Sequence, residues 1–515
     1  MQSLRGLPGV KKIHRSHAIF SALGTFAAVA TILACAPTPA RAPSTADDAP
    51  GYDAADMLAR AIRIATVNPP GDEAPLARLF VELLRDAGVE AELVETPAAE
   101  SRVGRAAAWG RLRGRGRRPA IVLLSHLDVV PANPQEWSVD PFAGERVGEY
   151  VVGRGAIDAK GVAVVHLLAV AELARRGVAL DRDVIFLSTP DEELGGELGA
   201  GYLVRERKDL LRDAGYLLTE GGGVLVRDEG EATVWGVAIT EKSPCWLRLE
   251  SRGTPGHSSV PGRDAAVPRL IAALYRVQNQ EAPVRVIPAV AAMFAALAPL
   301  APEEDRPGFA NLASSLELDP AFRARFLSNL QYAALVRNTV TPTVLEGSPR
   351  TNVVPAVATA QLDARLLPGE SCTHYSDQLR TVLADPGITI ERILHFSSES
   401  SSADTPLFRA IERVAARTDP ESLVVPRVLA GFTDAHYFRA QGITAYGFVP
   451  RWYSVDDLRS VHGPDERVSV ANLERGVATL IAILKELDRV EASETGGRGD
   501  GVDLHFSQAP GPVDR

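Results

Sequence analysis

AIVLLSHLDVV (residues 120–130) and DVIFLSTPDEE (residues 183–193) are short apolar runs that end in polar, chemically capable residues, and VAVVHLLAVAELARRG (residues 162–177) lies between them. The flanking runs have strand length; the middle stretch reads as a helix with a buried face, closed by Gly177. Strand, helix and strand with reactive groups at the strand ends describe an α/β sheet, whose sites collect beyond the carboxyl ends of its strands. AGYLLTEGGG (residues 214–223) continues the pattern. Upstream, helical spacing covers residues 54–67 and 76–87, the second run stopping at Gly88.

From about residue 240 the texture shifts. WLRLESRG (residues 246–253) and TAQLDARLLP (residues 359–368) alternate like half-exposed strands, with a helical stretch at residues 265–277. The expectation is an inserted α+β domain over residues 240–357, between two parts of a catalytic domain at residues 52–239 and 358–491. Sheet-like and helical signals resume at residues 406–416, 444–449 and 473–487, and a Gly-rich tail at residues 492–515 is expected to be disordered.

A chain of 515 residues with 46% hydrophobic and 23% charged residues has room for two cores. A net charge of -10 gives no reason to expect nucleic acid, which calls for clustered positive charge. The one basic run, RLRGRGRR (residues 111–118), reads as a solvated hairpin tip between two strands. Three cysteines, Cys35, Cys245 and Cys372, cannot make a disulfide framework; the last two are buried thiols or one bridge, and the sequence leaves both open.

Cys35 closes an export-like segment with a basic start (Arg5, Lys11, Lys12, Arg15) and an apolar run over residues 18–34. ILAC (residues 32–35) resembles a bacterial lipobox, although Leu33 departs from the small or hydroxyl residue usual there. The favoured expectation is a signal peptide at residues 1–34, a lipid anchor on Cys35 and a flexible tether at residues 35–51. That would make an exported, periplasm-facing lipoprotein of the cell envelope, or a secreted one. Cleavage near residues 40–42, with Pro43 against it, and an uncleaved anchor are the alternatives.

A paired-metal centre needs oxygen and imidazole ligands from several rigid elements, with one carboxylate able to bridge. SHLDVVP supplies His126 and, on the same strand face, Asp128; GRGAIDAKG supplies Asp158. TPDEELGG supplies Glu192 and Glu193, LLTEGGG supplies Glu220, and SVHGPDE supplies His462. Each piece alone is weak, because a lone strand-end histidine is more often structural and an acidic triplet more often a solvated turn. GRGAIDAKG lacks the lysine-serine ending of a phosphate loop and the spacing of a dinucleotide fingerprint.

In order and spacing, SHLDVVP, GRGAIDAKG, PDEELGG, TEGGG, GTPGHSS and SVHGPDE resemble the M20 family of metallopeptidases over residues 52–489. The resemblance implies two zinc ions, with cobalt or manganese as substitutes: one held by His126, Asp158 and Glu220, the other by Asp158, Glu193 and His462, Asp158 bridging. It makes Glu192 the general base acting on a metal-bridging water, and Asp128 the partner that orients His126. The insert becomes a lid and dimerisation domain whose His257 reaches the active site of a second subunit, implying a homodimer. Asn352 and Arg365 match positions that bind the substrate carboxylate; a structural pairing with a neighbouring acid is the plain alternative for Arg365.

GFTDAHYF (residues 431–438) resembles the family's substrate loop, with His436 where relatives often carry arginine. Glu220, the WSVDPFAG segment and the chain length look most like the carboxypeptidase S and N-acyl-amino-acid hydrolase branch. The implied substrate is an N-acyl amino acid or dipeptide-like amide with a free carboxylate. The alternatives are an exported carboxypeptidase or dipeptidase for peptide nutrients and an inactive binding lipoprotein. PAVAAMFAALAPLAP (residues 288–302) is read as lid core or dimer interface, with an acyl-chain pocket as the less favoured reading.

Overall fold

The computed structural model describes residues 53–98, 103–226, 233–260 and 262–496. The expected signal segment, Cys35 and the tether lie outside the described residues. No helix among the described residues is long and apolar enough to cross a membrane.

The central sheet runs in the order Glu90–Thr96, Arg105–Leu112, Val184–Thr189, Ala120–His126, Ala214–Thr219, Thr444–Gly447, Val234–Glu241, Gly223–Leu225 and Trp452–Tyr453, and Leu423–Leu429 pairs parallel to Val234–Glu241. Val184–Thr189, Ala120–His126, Ala214–Thr219 and Thr444–Gly447 are mutually parallel neighbours. Their unbroken apolar runs follow from burial on both faces. Ile121, Leu123 and Phe186 pack toward the helices Ala54–Arg63, Ala74–Asp86 and Lys160–Arg175, whereas Val122, Leu124, Ile185 and Leu187 pack toward Ala200–Glu206 and Ala435–Arg439.

The basic run is not a hairpin tip. Val184–Thr189 lies between Arg105–Leu112 and Ala120–His126, so residues 113–119 cross over an intervening strand. Its arginines are neutralised locally: Arg111 pairs with Asp183 at 2.6 Å, Arg113 with Glu90 at 2.8 Å and Arg115 with Asp181 at 3.1 Å.

A second sheet, in the order Thr339–Glu346, Val357–Leu366, Ser243–Arg252 and Ile388–His395, is antiparallel throughout. Its inner face packs on the helices Ala266–Gln278 and Cys372–Leu383 in a core of its own, and Cys245 is disulfide-bonded to Cys372 across it. The strands of this sheet thus come from residues 243–252, 339–346, 357–366 and 388–395. Alternation along residues 359–368 marks a strand but not its partners, which are Ser243–Arg252 and Thr339–Glu346.

Residues 288–302 contribute nothing to the core of the second sheet among the described residues. Val290, Met293 and Phe294 of the helix Pro288–Leu297 pack with Val234, Val425 and Val428 of the central sheet, and Phe294 meets Phe309, Phe326 and Tyr332 at 4.9–5.1 Å. The last helix, Val470–Gly496, continues into the stretch expected to be disordered.

Candidate metal centre

His126 ends its strand opposite Thr189, and Glu220 follows Thr219 at the end of the next parallel strand. The parallel register thus delivers an imidazole, the PDEE turn and a carboxylate to one edge of the sheet. His126 Nε2 lies 2.9 Å from Asp158 Oδ1, 3.4 Å from Glu220 Oε1 and 3.9 Å from Glu192 Oε2. His462 Nε2 lies 3.2 Å from Asp158 Oδ2 and 3.4 Å from Glu193 Oε2. His126, Asp158 and Glu220 form one candidate cation cluster and Asp158, Glu193 and His462 a second, so Asp158 presents one oxygen to each.

The electrostatics fit a cation. Burial, reinforced by the Asp158 charge, pushes Glu220 up to about 7, and burial together with Glu220 holds Glu192 well above the usual carboxylate range. Burial opposes charge on Asp158, but hydrogen bonds with His126 and His462 outweigh it and hold this carboxyl well below its ordinary value. Hydrogen bonds to Asp158 and Glu193 raise His462 to about 10. Glu193 Oε1 is buried with no hydrogen-bond partner. Crowded carboxylates, two imidazoles and an orphaned oxygen are the donor set a divalent ion satisfies.

Asp128 takes a wider part than orienting a histidine. Its carbonyl oxygen lies 2.9 Å from His126 Nδ1, so Nδ1–H donates there and Nε2 is left for a cation. Its carboxylate accepts the backbone N–H of Glu192 at 3.1 Å, that of Glu193 at 3.2 Å and Asn68 Nδ2 at 2.9 Å. Asn68 also approaches Asp191, which pairs with Arg105 at 2.9 Å, and Arg105 pairs with Glu73 at 2.7 Å; all are buried.

Glu466, unremarked at the end of SVHGPDE, is fully buried. It accepts the backbone N–H groups of Gly155 (3.0 Å), Ile157 (2.7 Å) and Asp158 (2.9 Å) and binds Arg154 at 2.7 Å. It thereby joins the loop of the shared aspartate to that of His462. Asp434 is a further buried acid beside the centre, accepting from Thr189 Oγ1 at 2.9 Å. A Cβ on Gly196, whose φ is +72°, would sit 2.0 Å from Asp434 Oδ1, so only glycine fits there.

His257, Asn352 and Arg365 belong to neither cluster among the described residues. His257, exposed on the two-residue strand Gly256–His257, contacts Ser259, whose N–H donates to Nδ1 at 3.2 Å, leaving Nε2 as the N–H donor. Asn352 is its neighbour through the hydrogen bond from Ser258 N–H to Asn352 carbonyl at 3.3 Å. Arg365 pairs with Asp363 at 2.7 Å, and its guanidinium lies 5.0 Å from the centre of the Phe432 ring in the GFTDAHYF loop. His436 is buried, stacked 3.5 Å from Phe396, and burial drives it down to about 3, so it is a neutral group.

A mixed α/β sheet with an inserted antiparallel domain, and two clusters of imidazoles and carboxylates that share Asp158, define a protein with a candidate two-cation centre. The chain belongs to peptidase family M20/M25/M40, whose family model matches residues 122–486. It is similar to aminoacylase-1 of Sus scrofa, 30% identical over 443 residues that cover 84% of this chain and 94% of that protein. It is also similar to the N-fatty-acyl-amino acid synthase/hydrolase PM20D1 of Homo sapiens, 26% identical over 383 residues (73% of this chain, 76% of that protein). Among solved structures it resembles the M20 family metallo-carboxypeptidase Sso-CP2 of Sulfolobus solfataricus, with a TM-score of 0.67, 18% identity and coverage of 85% of this chain and 100% of that one.

Proposed function

We propose that this chain hydrolyses the amide bond of N-acyl amino acids bearing a free carboxylate, with two zinc-type ions held by His126, Asp158 and Glu220 and by Asp158, Glu193 and His462. The observation that carries the reading is the sharing of Asp158 by both clusters while Glu192 belongs to neither. When bound, such ions polarise a carbonyl and make water a better nucleophile. Glu192, buried and held above the usual carboxylate range, is suited to take a proton from the attacking water and pass it to the departing nitrogen. The similarity to aminoacylase-1 over 94% of its length favours the acyl amino acid over a dipeptide.

His257 with its Nε2–H, and Asn352 beside it, would serve the centre of a second copy, the first as an oxyanion donor and the second at the substrate carboxylate. Arg365 would reach the same carboxylate once released from Asp363.

A release assay on the purified protein with added zinc, offering N-acyl amino acids beside dipeptides, tests the substrate. Preference for acyl amino acids is expected; preference for dipeptides makes the protein a dipeptidase or carboxypeptidase. Glu192→Gln is expected to lower kcat by roughly 10²–10⁴-fold with the metal retained. Unchanged activity in that variant would remove Glu192 from the mechanism.

A further inference from the structure

His462 differs from its fellow candidate ligands in being half-exposed, with 50% of its side-chain surface accessible, on a loop beyond the central sheet. Its φ is +59° and that of Asp465 is +56°. A left-handed conformation at a non-glycine residue is strained, so the loop needs outside support to keep its shape. That support comes from the segment leading to Asp158. Ser138 donates its N–H and its O–H to Asp465 Oδ1, each at 2.8 Å. Arg154, lying 5.1 Å over the Trp137 ring, donates to the His462 carbonyl at 3.1 Å and to Glu466 at 2.7 Å.

We propose that Ser138 with Asp465, and Trp137 with Arg154, form a clamp that positions His462 for the second cation. The idea rests on the two-ion reading above. Its selectivity follows from the architecture: His126 and Glu220 stand at the ends of sheet strands, and the Asp158 backbone is cradled by Glu466, so removing Asp465 leaves those ligands supported. His462 has no strand beneath it. Asp465 Oδ1 accepts both Ser138 donors, and the Arg154 contact falls on the ligand's own carbonyl. These are positioning residues, acting through the loop backbone rather than on substrate.

The test is a zinc titration of the metal-free, full-length protein by calorimetry, comparing wild type with His462→Ala, Asp465→Ala, Asp465→Asn and Ser138→Ala. Asp465→Ala is expected to weaken by about 10–100-fold the same binding step that His462→Ala weakens, with the other step unchanged. Asp465→Asn, which keeps an oxygen for Ser138, is expected to restore most of that affinity, and Ser138→Ala to give a smaller loss. Both steps weakening together, or neither, would overturn the clamp. If wild type takes up a single ion, the two-ion reading fails; the clamp then stands only if His462→Ala and Asp465→Ala weaken that ion alike, and is overturned otherwise.

Discussion

Asp128 Oδ1 accepts the backbone N–H of Glu192 at 3.1 Å, while the same residue's carbonyl holds His126. One aspartate therefore sets both the imidazole and the turn that carries the proposed base. Asp128→Asn replaces one acceptor oxygen by a donor facing an N–H group or the Asn68 amide. The expected result is a loss of about 10–100-fold in kcat with a small change in KM, measured by steady-state kinetics on the metal-loaded protein.

Metal removal should cost stability as well as activity, because it returns Glu192, Glu193, Glu220 and Asp158 to mutual repulsion. Unfolding with and without chelator should differ by about 2.7 kcal/mol per site at an ion concentration 100 times its dissociation constant. Equal denaturation midpoints would show that the clusters hold no ion.

Arg105 stands between Glu73 and Asp191 with 4% of its side chain exposed. Arg105→Met strands two buried acids and is expected to destabilise by about 3–5 kcal/mol in urea unfolding. Adding Glu73→Gln should recover part of the loss, since burial already pushes Glu73 up to about 7 and a neutral amide suits its site.

His166 is fully buried in the helix Lys160–Arg175, neither ring nitrogen has a hydrogen-bond partner, and burial, with Arg451 nearby, depresses it to about 3. Below its ordinary value of 6.5 the unfolded chain binds a proton there that the folded chain refuses, so this residue's contribution to stability falls as pH drops from 6.5 toward 3. His166→Leu is expected to reduce the difference in unfolding free energy between pH 7 and pH 5 by about 2 kcal/mol. An unaltered difference would mean that the imidazole is not the acid-sensitive group.

His126, Glu193 and Glu220 follow apolar strand runs and Asp158 sits in a glycine-rich loop, but these local signals are weak singly, and His462 has none; it is the conjunction of the motifs, with its resemblance to a family, that singles out the residues the structure gathers into two clusters. What stayed hidden depends on pairing between distant segments. Residues 111–118 looked like a hairpin because nothing local says that Val184–Thr189 inserts between the flanking strands. The apolar stretch at residues 288–302 carried no sign that its partners are Val425 and Val428. Glu466 carries no sequence signal because its carboxylate acts on backbone N–H groups at residues 155–158, and backbone donors leave no mark in a side-chain pattern. The Cys245–Cys372 bridge, left open by sequence, depended on Ser243–Arg252 lying beside the helix Cys372–Leu383.

Asp158 meets His126 early in the chain and His462 near its end. Translation proceeds from the amino terminus, so a ribosome-bound chain acquires His126, Asp158, Glu193 and Glu220 long before the last imidazole emerges. Until then the second cluster lacks its nitrogen ligand and the Asp158 loop lacks the Glu466 cradle. The proposed two-ion centre is thus complete only once residues 462–466 have emerged, and a message truncated anywhere upstream of codon 462 yields a product without it.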